Sequence, residues 1–443
     1  MGPKDREDDS GDLFRSRLES IINPRHELVR LGEVIDWQRF EEAFGPLYAD
    51  KGRPALPVRL MVGLHILKYM YGLSDPELTE RWVETPYYQH FCGEVFFQHQ
   101  APFDRSSMTR WRQRLGEDKL TELIRESLSS AERAGALRLK DVRRVIVDTT
   151  VQPKNIAFPT DAKLLYSSIV RLGCLCRRHG IKLRQTYMRV GKRALIKAQR
   201  YAHAKQFKRH RREVKFLNVR LGRVIRDIAR KIEDMPDLEA AFARELSLGL
   251  RLRQQRKRQD GPKLYSLHAP ETECIGKGKA HKPYEFGCKV SVATTNARSP
   301  GGMFVLHAKA LHGNPYDGHT LKSVAEELAA WIGASSERIY VDKGYVGHKA
   351  SNPLRVFRSG QKRGVHGQIR RELRRRAAIE PVIGHLKEEH RLGRNFLKGR
   401  EGDCINAVLA AAGLNFRRLA QWLRRLMLKI LSALRCQNAP IPA

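Results

Sequence analysis

Three acids stand where folding alone gives no reason for them. Val145, Ile146 and Val147 form a β-branched run that ends on Asp148, and Ile339, Tyr340 and Val341 form a second apolar run that ends on Asp342. The third acid, Glu380, follows in a segment of helical character. An unpaired buried carboxylate is costly, so such acids are exposed, paired or holding a metal. If the two strands lie side by side in one sheet, Asp148 and Asp342 become neighbours, and Glu380 on the following helix completes a negative pocket. Mg²⁺ or Mn²⁺, hard cations that take oxygen ligands, relieve the repulsion in such a pocket. Two of them, about 3.5–4 Å apart, can polarise the attacking and leaving oxygens of a phosphodiester.

Arg376 precedes Glu380 by four residues and Lys387 follows it by seven. On an ideal helix both offsets keep the three side chains in one narrow stripe: an acid for metal between two cations for phosphate. Pro381 disfavours helix at the residue before it, so a helix either kinks there or begins there with Pro381 in its first turn. Each piece has a plainer use. An acid after a β-branched run is often a turn residue, and Arg-x3-Glu-x6-Lys also serves as ordinary helix pairing. The information lies in the order of the three acids along a chain of this charge.

The elements that must position them can be traced along the chain. "ALPVRLMVGLHILKYMYG" has apolar residues at helical spacing and Gly72 as a C-cap. Ser74-Asp75-Pro76-Glu77 is a capping-box pattern opening a helix through Trp82, so a helix-turn-helix element is expected. "DRSSMTRWRQRLG", N-capped by Ser106 or Ser107, offers Arg110, Arg112 and Arg114 around Trp111, as a DNA-contacting helix or as a basic surface helix anchored by its Trp. β signal begins near Asp141. Helix is expected from Lys163 to about Gln259, where Lys and Arg outnumber acids roughly fourfold. There Val214, Leu217, Leu221, Val224 and Ile228 have coiled-coil spacing, predicting a helical hairpin with one apolar seam. "KLYSLHAPET", "YEFGCKVSVATT" and "MFVLHAKALHG" predict two or three strands. The turn "IGKGKAHKP" carries Lys277, Lys279 and Lys282, a possible clamp on a DNA backbone. A helix from Asp317, the strand ending at Asp342, the helix of Glu380 and a long amphipathic C-terminal helix complete an α/β core with mixed strands. Asp317 is expected to cap its helix; His268, His281 and His385 are possible phosphate contacts.

Lys plus Arg number 83 against 48 Asp plus Glu, a formal charge of +35, and a polyanion is the natural partner of such a chain. No apolar run approaches the roughly 18 residues of a membrane span, and the acidic start lacks the apolar core of a signal peptide. Seven scattered cysteines, with Cys174-x-Cys176 the one close pair, predict reduced structural thiols rather than a zinc site.

The chain resembles bacterial DDE transposases of the insertion-sequence type, most closely the family numbered five. The resemblance is carried by "RPALPVRLMVGLHILKYMYGLSD", "VIVDTTVQPKNIAFPTDAKL", "YSLHAPETECIGKGKAHKPYEFGCKVS", "GNPYDGHTL", "YVDKGYVG", "EPVIGHLKEEHRLGRNFLKG" and "INAVLAAAGLNFRRL". It implies an RNase H-like catalytic core, with Asp148, Asp342 and Glu380 as the metal-binding triad. The family's Tyr-x2-Arg-x3-Glu-x6-Lys signature is met by Arg376, Glu380 and Lys387, with Leu373 at the tyrosine position.

The expected layout is therefore an N-terminal all-α DNA-binding domain at 1–138, an RNase H-like mixed sheet begun at 139–162 and completed at 261–400, a basic helical insertion at 163–260, and a C-terminal helix at 401–443. The resemblance implies a bacterial, cytoplasmic, nucleoid-associated enzyme that binds terminal inverted repeats, hydrolyses DNA with Mg²⁺ or Mn²⁺ (two ions per site) and joins the freed ends to target DNA as a homodimer. A nuclease without strand transfer and an inactive DNA-binding derivative are the alternatives. Expected DNA contacts are Arg376, Lys387, Lys343, Tyr345, Arg110, Arg112, Lys277, Lys279 and Lys282.

Overall fold

A computed structural model describes residues 16–48, 55–256, 259, 261–276, 283–297, 299–332, 336–348 and 355–437. Lys277, Lys279, His281 and Lys282 lie outside the described residues. The chain divides into two compact units, residues 1–153 with 288–443 and residues 154–287.

The first unit begins with helices: α1 (Leu18–Ile21), α2 (Glu27–Val34), α3 (Trp37–Phe44), α4 (Val58–Met70), α5 (Asp75–Glu84), α6 (Pro86–Phe91) and α7 (Arg105–Arg133). α4 is buried on nearly every side, which explains its apolar character all round. Gly72 follows it at φ +66°, and a Cβ there would come within 2.6 Å of the Glu389 carbonyl oxygen. The Ser74–Glu77 capping box is present at the start of α5. α7 is N-capped by Asp104, whose side chain accepts from Ser106 N, rather than by either serine. Gly116, at φ 68° and ψ −172°, kinks α7 in its first half.

The sheet follows. β1 (Arg144–Pro153), β2 (Glu273–Gly276), β3 (Tyr284–Thr295), β4 (Val305–Leu311), β5 (Arg338–Val341) and β6 (Arg355–Arg358) are arranged β4–β3–β1–β5–β6, with β2 paired to the first four residues of β3. β3 and β4 are antiparallel, whereas β1–β5 and β5–β6 are parallel. Main-chain bonds from Asn296 N to Arg144 O at 2.8 Å and from Lys154 N to Phe286 O at 2.9 Å run β1 and β3 antiparallel. The sheet is thus mixed, as the strand signals predict. α12 (Asp317–Ile332) joins β4 to β5, and α13 (Gly367–Arg374), α14 (Ile379–Glu388) and α15 (Gly399–Gln437) follow β6. Val145, Val147, Ile339 and Val341 share one core with α4, α7 and α15. Ile146, Tyr340, Phe357 and Ile379 form a smaller cluster, against which Leu373 packs. The signature's tyrosine position is therefore a packing position in this chain.

The second unit holds α8 (Asp161–Arg178), α9 (Met188–His203), α10 (Phe207–Ile232) and α11 (Pro236–Gln254), four helices where a hairpin was expected. The seam of α10 is real, with Leu217, Leu221, Val224 and Ile228 buried. Its apolar stripe is shared among α8, α9 and α11, which a single helix's periodicity does not reveal. "KLYSLHAPET" is not a strand. Leu264 and Leu267 drop into the helical core, Ser266 Oγ accepts from Ala269 N in a local turn, and β2 starts only at Glu273.

No helix among the described residues is long and apolar enough to cross a membrane.

Candidate active site

Asp148 sits inside β1 and not at its end. The β1–β5 register pairs Ile146 with Tyr340, and two residues further along it sets Asp148 opposite Asp342. β5 stops at Val341, so β1 runs on past its neighbour and Asp148 occupies the notch where the partner strand gives out. Asp342 is the first residue after β5. A sequence reader sees two strands ending on acids; the sheet has one strand ending and the other continuing beside it.

Glu380 is the second residue of α14, which begins after a 3-10 turn, Arg375–Ala378. Pro381 falls in the first turn, where its missing N–H costs nothing. Arg376 therefore belongs to the preceding turn rather than to a continuous stripe with Glu380 and Lys387. Even so, its guanidinium gathers the acids. Nη1 is 3.2 Å from Asp148 Oδ2, and Nη2 is 3.6 Å from Asp342 Oδ1 and 3.9 Å from Glu380 Oε1. Side-chain exposure rises from 20% at Asp148 through 51% at Asp342 to 69% at Glu380, so the cluster has a floor and an open mouth.

The floor contains more acid than the sequence motif names. Asp317, at the start of α12, does not spend its carboxylate on a cap: Oδ1 accepts from Thr149 Oγ1 and from Lys289 Nζ, each at 3.1 Å. Thr149 also donates its main-chain N–H to Asp148 Oδ1 at 2.8 Å. Burial, with Asp342 and Asp317 adding to it, raises the Asp148 carboxyl above its ordinary value against the opposing pull of the Thr149 N–H and Arg376. A raised carboxyl in a concave, charged site marks a place where more positive charge would be favourable. Lys289 and Thr149 were not legible as site residues; Asp317 could be taken for a ligand from its sequence but was expected to cap its helix, and only the fold brings it to β1.

Three carboxylates thus surround a single guanidinium, with Asp317 beneath them paired to Lys289. If a hard cation such as Mg²⁺ or Mn²⁺ binds here, Asp148, Asp342 and Glu380 are the residues that would hold it.

The expected DNA contacts divide by exposure. Arg110 and Lys343 are exposed, Lys387 is half-buried, and Arg376 faces the acids. Two are buried instead. Tyr345 is 1% exposed, its ring in the core below the acids. Arg112 is 3% exposed, bonded to Asp75 at 3.1 Å and set 3.3 Å from His65 Nε2. Odd-numbered spacing around Trp111 could not tell which arginine of α7 turns inward; the face shared with α4 and α5 decides it. Of the histidines, His268 bonds Ser266 and the Asn155 carbonyl, and His385 pairs with Glu389.

In the second unit, Arg184, Arg223, Arg226 and Arg230 line a cavity of about 180 Å³ with Tyr187 and Asp227. Positions 223, 226 and 230 share one exposed face of α10. Asp227 is already engaged by Arg184 N at 2.9 Å and Lys231 Nζ at 3.1 Å, so the four guanidinium groups are in excess over local acid.

Residues 16–114 match the family described as "Transposase domain (DUF772)". The chain is also 54% identical over 207 residues to "Uncharacterized protein ORF8 in nfe locus" of Rhizobium meliloti, a match spanning 47% of this chain and the whole of that protein. No solved structure matches the chain.

Proposed function

Because residues 16–114 match a transposase domain family, we propose that the chain is a DDE-type DNA transposase of an insertion sequence, with an RNase H-like catalytic core. The observation that carries this reading is the meeting of Asp148, Asp342 and Glu380, from three distant stretches of chain, around the Arg376 guanidinium. The strand order supports it too: the first strand in the chain lies centrally, an antiparallel pair extends one side and two parallel strands the other.

Asp148, Asp342 and Glu380 would hold Mg²⁺ or Mn²⁺, and the chemistry supplied there would be activation of the attacking oxygen and neutralisation of charge on the leaving one. The chain's own residues prepare that place. Thr149 N–H fixes one oxygen of Asp148, Arg376 holds the other, and Lys289 neutralises Asp317 so that the floor tolerates its fourth acid. Exposed Asp342 and Glu380 face the side from which a phosphate arrives, with Lys343 next to it in sequence. In the first reaction a water oxygen bonds to phosphorus and the bond to the 3′ oxygen breaks, freeing a 3′-OH. In the second that hydroxyl attacks a target phosphodiester, and the target's own 3′ oxygen leaves. Both are in-line displacements, so a single site serves both. The exposed arginines of α7 and α10 would grip the backbones of the inverted-repeat ends, with synapsis by a homodimer.

The test is a gel assay with DNA carrying the element's ends, with and without Mg²⁺, followed by strand transfer of pre-cut ends. Divalent-dependent nicking at the end and joining to target are expected. Cleavage without joining would replace the reading by a nuclease, and binding without either reaction by a DNA-binding derivative.

A further inference from the structure

A second convergence of ligating side chains lies in the first unit, outside the acid cluster. The β3–β4 register pairs Lys289 with Leu311, and one step further it sets Cys288 opposite His312. Directly opposed residues of an antiparallel pair have Cβ atoms about 5 Å apart. Asp403, in the early part of α15, completes the group: a sulfur, an imidazole nitrogen and a carboxylate oxygen all lie within 4.8 Å of one another. His312 Nε2 stands 3.5 Å from Asp403 Oδ2, and this nitrogen is buried without a hydrogen-bond partner. The other carboxylate oxygen accepts from Asn395 Nδ2 at 2.7 Å, and the Asp403 carbonyl accepts from Gln152 Nε2 at 3.1 Å. Cys288 Sγ donates to the Lys289 carbonyl at 3.3 Å.

We propose that Cys288, His312 and Asp403 form a zinc site. Thiolate, imidazole and carboxylate together match a borderline-soft cation and not Mg²⁺, and tetrahedral Zn²⁺ is held by such sets with a water in the fourth position. The Asn395 bond to the second carboxylate oxygen is an outer partner of the kind that orients a ligating carboxylate, while the Gln152 bond holds the Asp403 main chain. Zinc binding releases the Cys288 thiol proton to solvent. At 1% exposure the thiol is out of reach of an electrophile from solvent, which sets a nucleophilic role aside. The ion would staple the β3–β4 edge to α15. The next residue on β3 is Lys289, which holds Asp317 beneath the acids, so the staple also steadies one wall of the active site.

The experiment uses the full chain stripped by chelator and titrated with Zn²⁺ against a chromophoric competitor, and separately with Co²⁺ as a spectroscopic probe. The expected result is one tightly held zinc per chain, insensitive to excess Mg²⁺ and retained in Asp148→Asn and in Cys174→Ser/Cys176→Ser. Stoichiometry and the zinc-dependent rise in Tm should be lost in Cys288→Ser and His312→Gln. The Co²⁺ form should show a thiolate charge-transfer band. Failure of the wild-type chain to bind zinc at micromolar concentration overturns the proposal, as does a persistent stoichiometry in Cys288→Ser. A variant that does not fold leaves the wild-type cobalt spectrum decisive: without the thiolate band the site is wrong.

Discussion

The Arg376 guanidinium lies 3.2 Å from the Asp148 carboxylate, bonded from a 3-10 turn to the middle of the central strand. The same group reaches Asp342 and Glu380, so one fixed cation balances acids that a divalent ion would otherwise have to balance alone. Arg376→Gln removes that balance. Mg²⁺ should then raise Tm more in the variant than in the wild type, because the bare pocket gains more from the ion. Equal shifts in a thermal melt would mean that Mg²⁺ does not enter the acid cluster.

Asp148→Asn, Asp342→Asn and Glu380→Gln preserve shape and delete charge. Each should lower cleavage by about three orders of magnitude or more, the loss expected when several kcal/mol of metal-borne charge stabilisation goes. End binding in a mobility-shift assay should hold nearly unchanged. Wild-type cleavage in any one of them removes that residue from the triad.

Gly318 follows Asp317 at the start of α12, and a Cβ there would stand 2.3 Å from the Val346 carbonyl oxygen. Gly318→Ala must displace the segment that follows Asp342. Misplacing a reacting group by about 1 Å can cost roughly a hundredfold in rate. The variant should cleave about that much more slowly while its DNA affinity is kept; unaltered cleavage would show that the segment yields without moving Asp342.

Arg110 and Arg112, two residues apart on α7, should behave oppositely. Arg110→Ala should weaken DNA binding across sequences and reduce the salt slope by about one, with no change in stability. Arg112→Ala should cost about 3–5 kcal/mol in a urea melt, because it breaks a buried ion pair. Asp75 is the hub of that pair, facing Arg112 and Lys68. Burial alone would raise its carboxyl, but the two cations overturn this and hold it well below the usual range. Its contribution is therefore present above the unfolded value of about 3.9 and is lost as pH falls through the lowered folded value. The stability gap between wild type and Asp75→Asn should be widest near neutral pH and narrow on acidification; a pH-independent gap would point to packing alone.

Arg223, Arg226 and Arg230 test the second unit. Changing all three to Gln should leave Tm within about 1 °C, since exposed substitutions shift stability little. It should also weaken binding to end DNA and flatten its salt dependence. An unchanged salt slope would remove this face from the DNA interface.

The sequence alone determined whatever depends on near neighbours. The capping box at Ser74, the stop at Gly72, the apolar seam of α10 and the order of the acids are all local patterns, and local backbone chemistry enforces them. Only the tertiary structure decided the rest. β5 ends at Val341 while β1 runs on, which makes Asp148 a mid-strand residue in a notch. α12 delivers Asp317 to Thr149 and Lys289, the α4–α5 face draws Arg112 inward, and β3, β4 and α15 bring Cys288, His312 and Asp403 together. In each case the partner lies far along the chain, and periodicity says which face a residue occupies but not what the fold will lay against it.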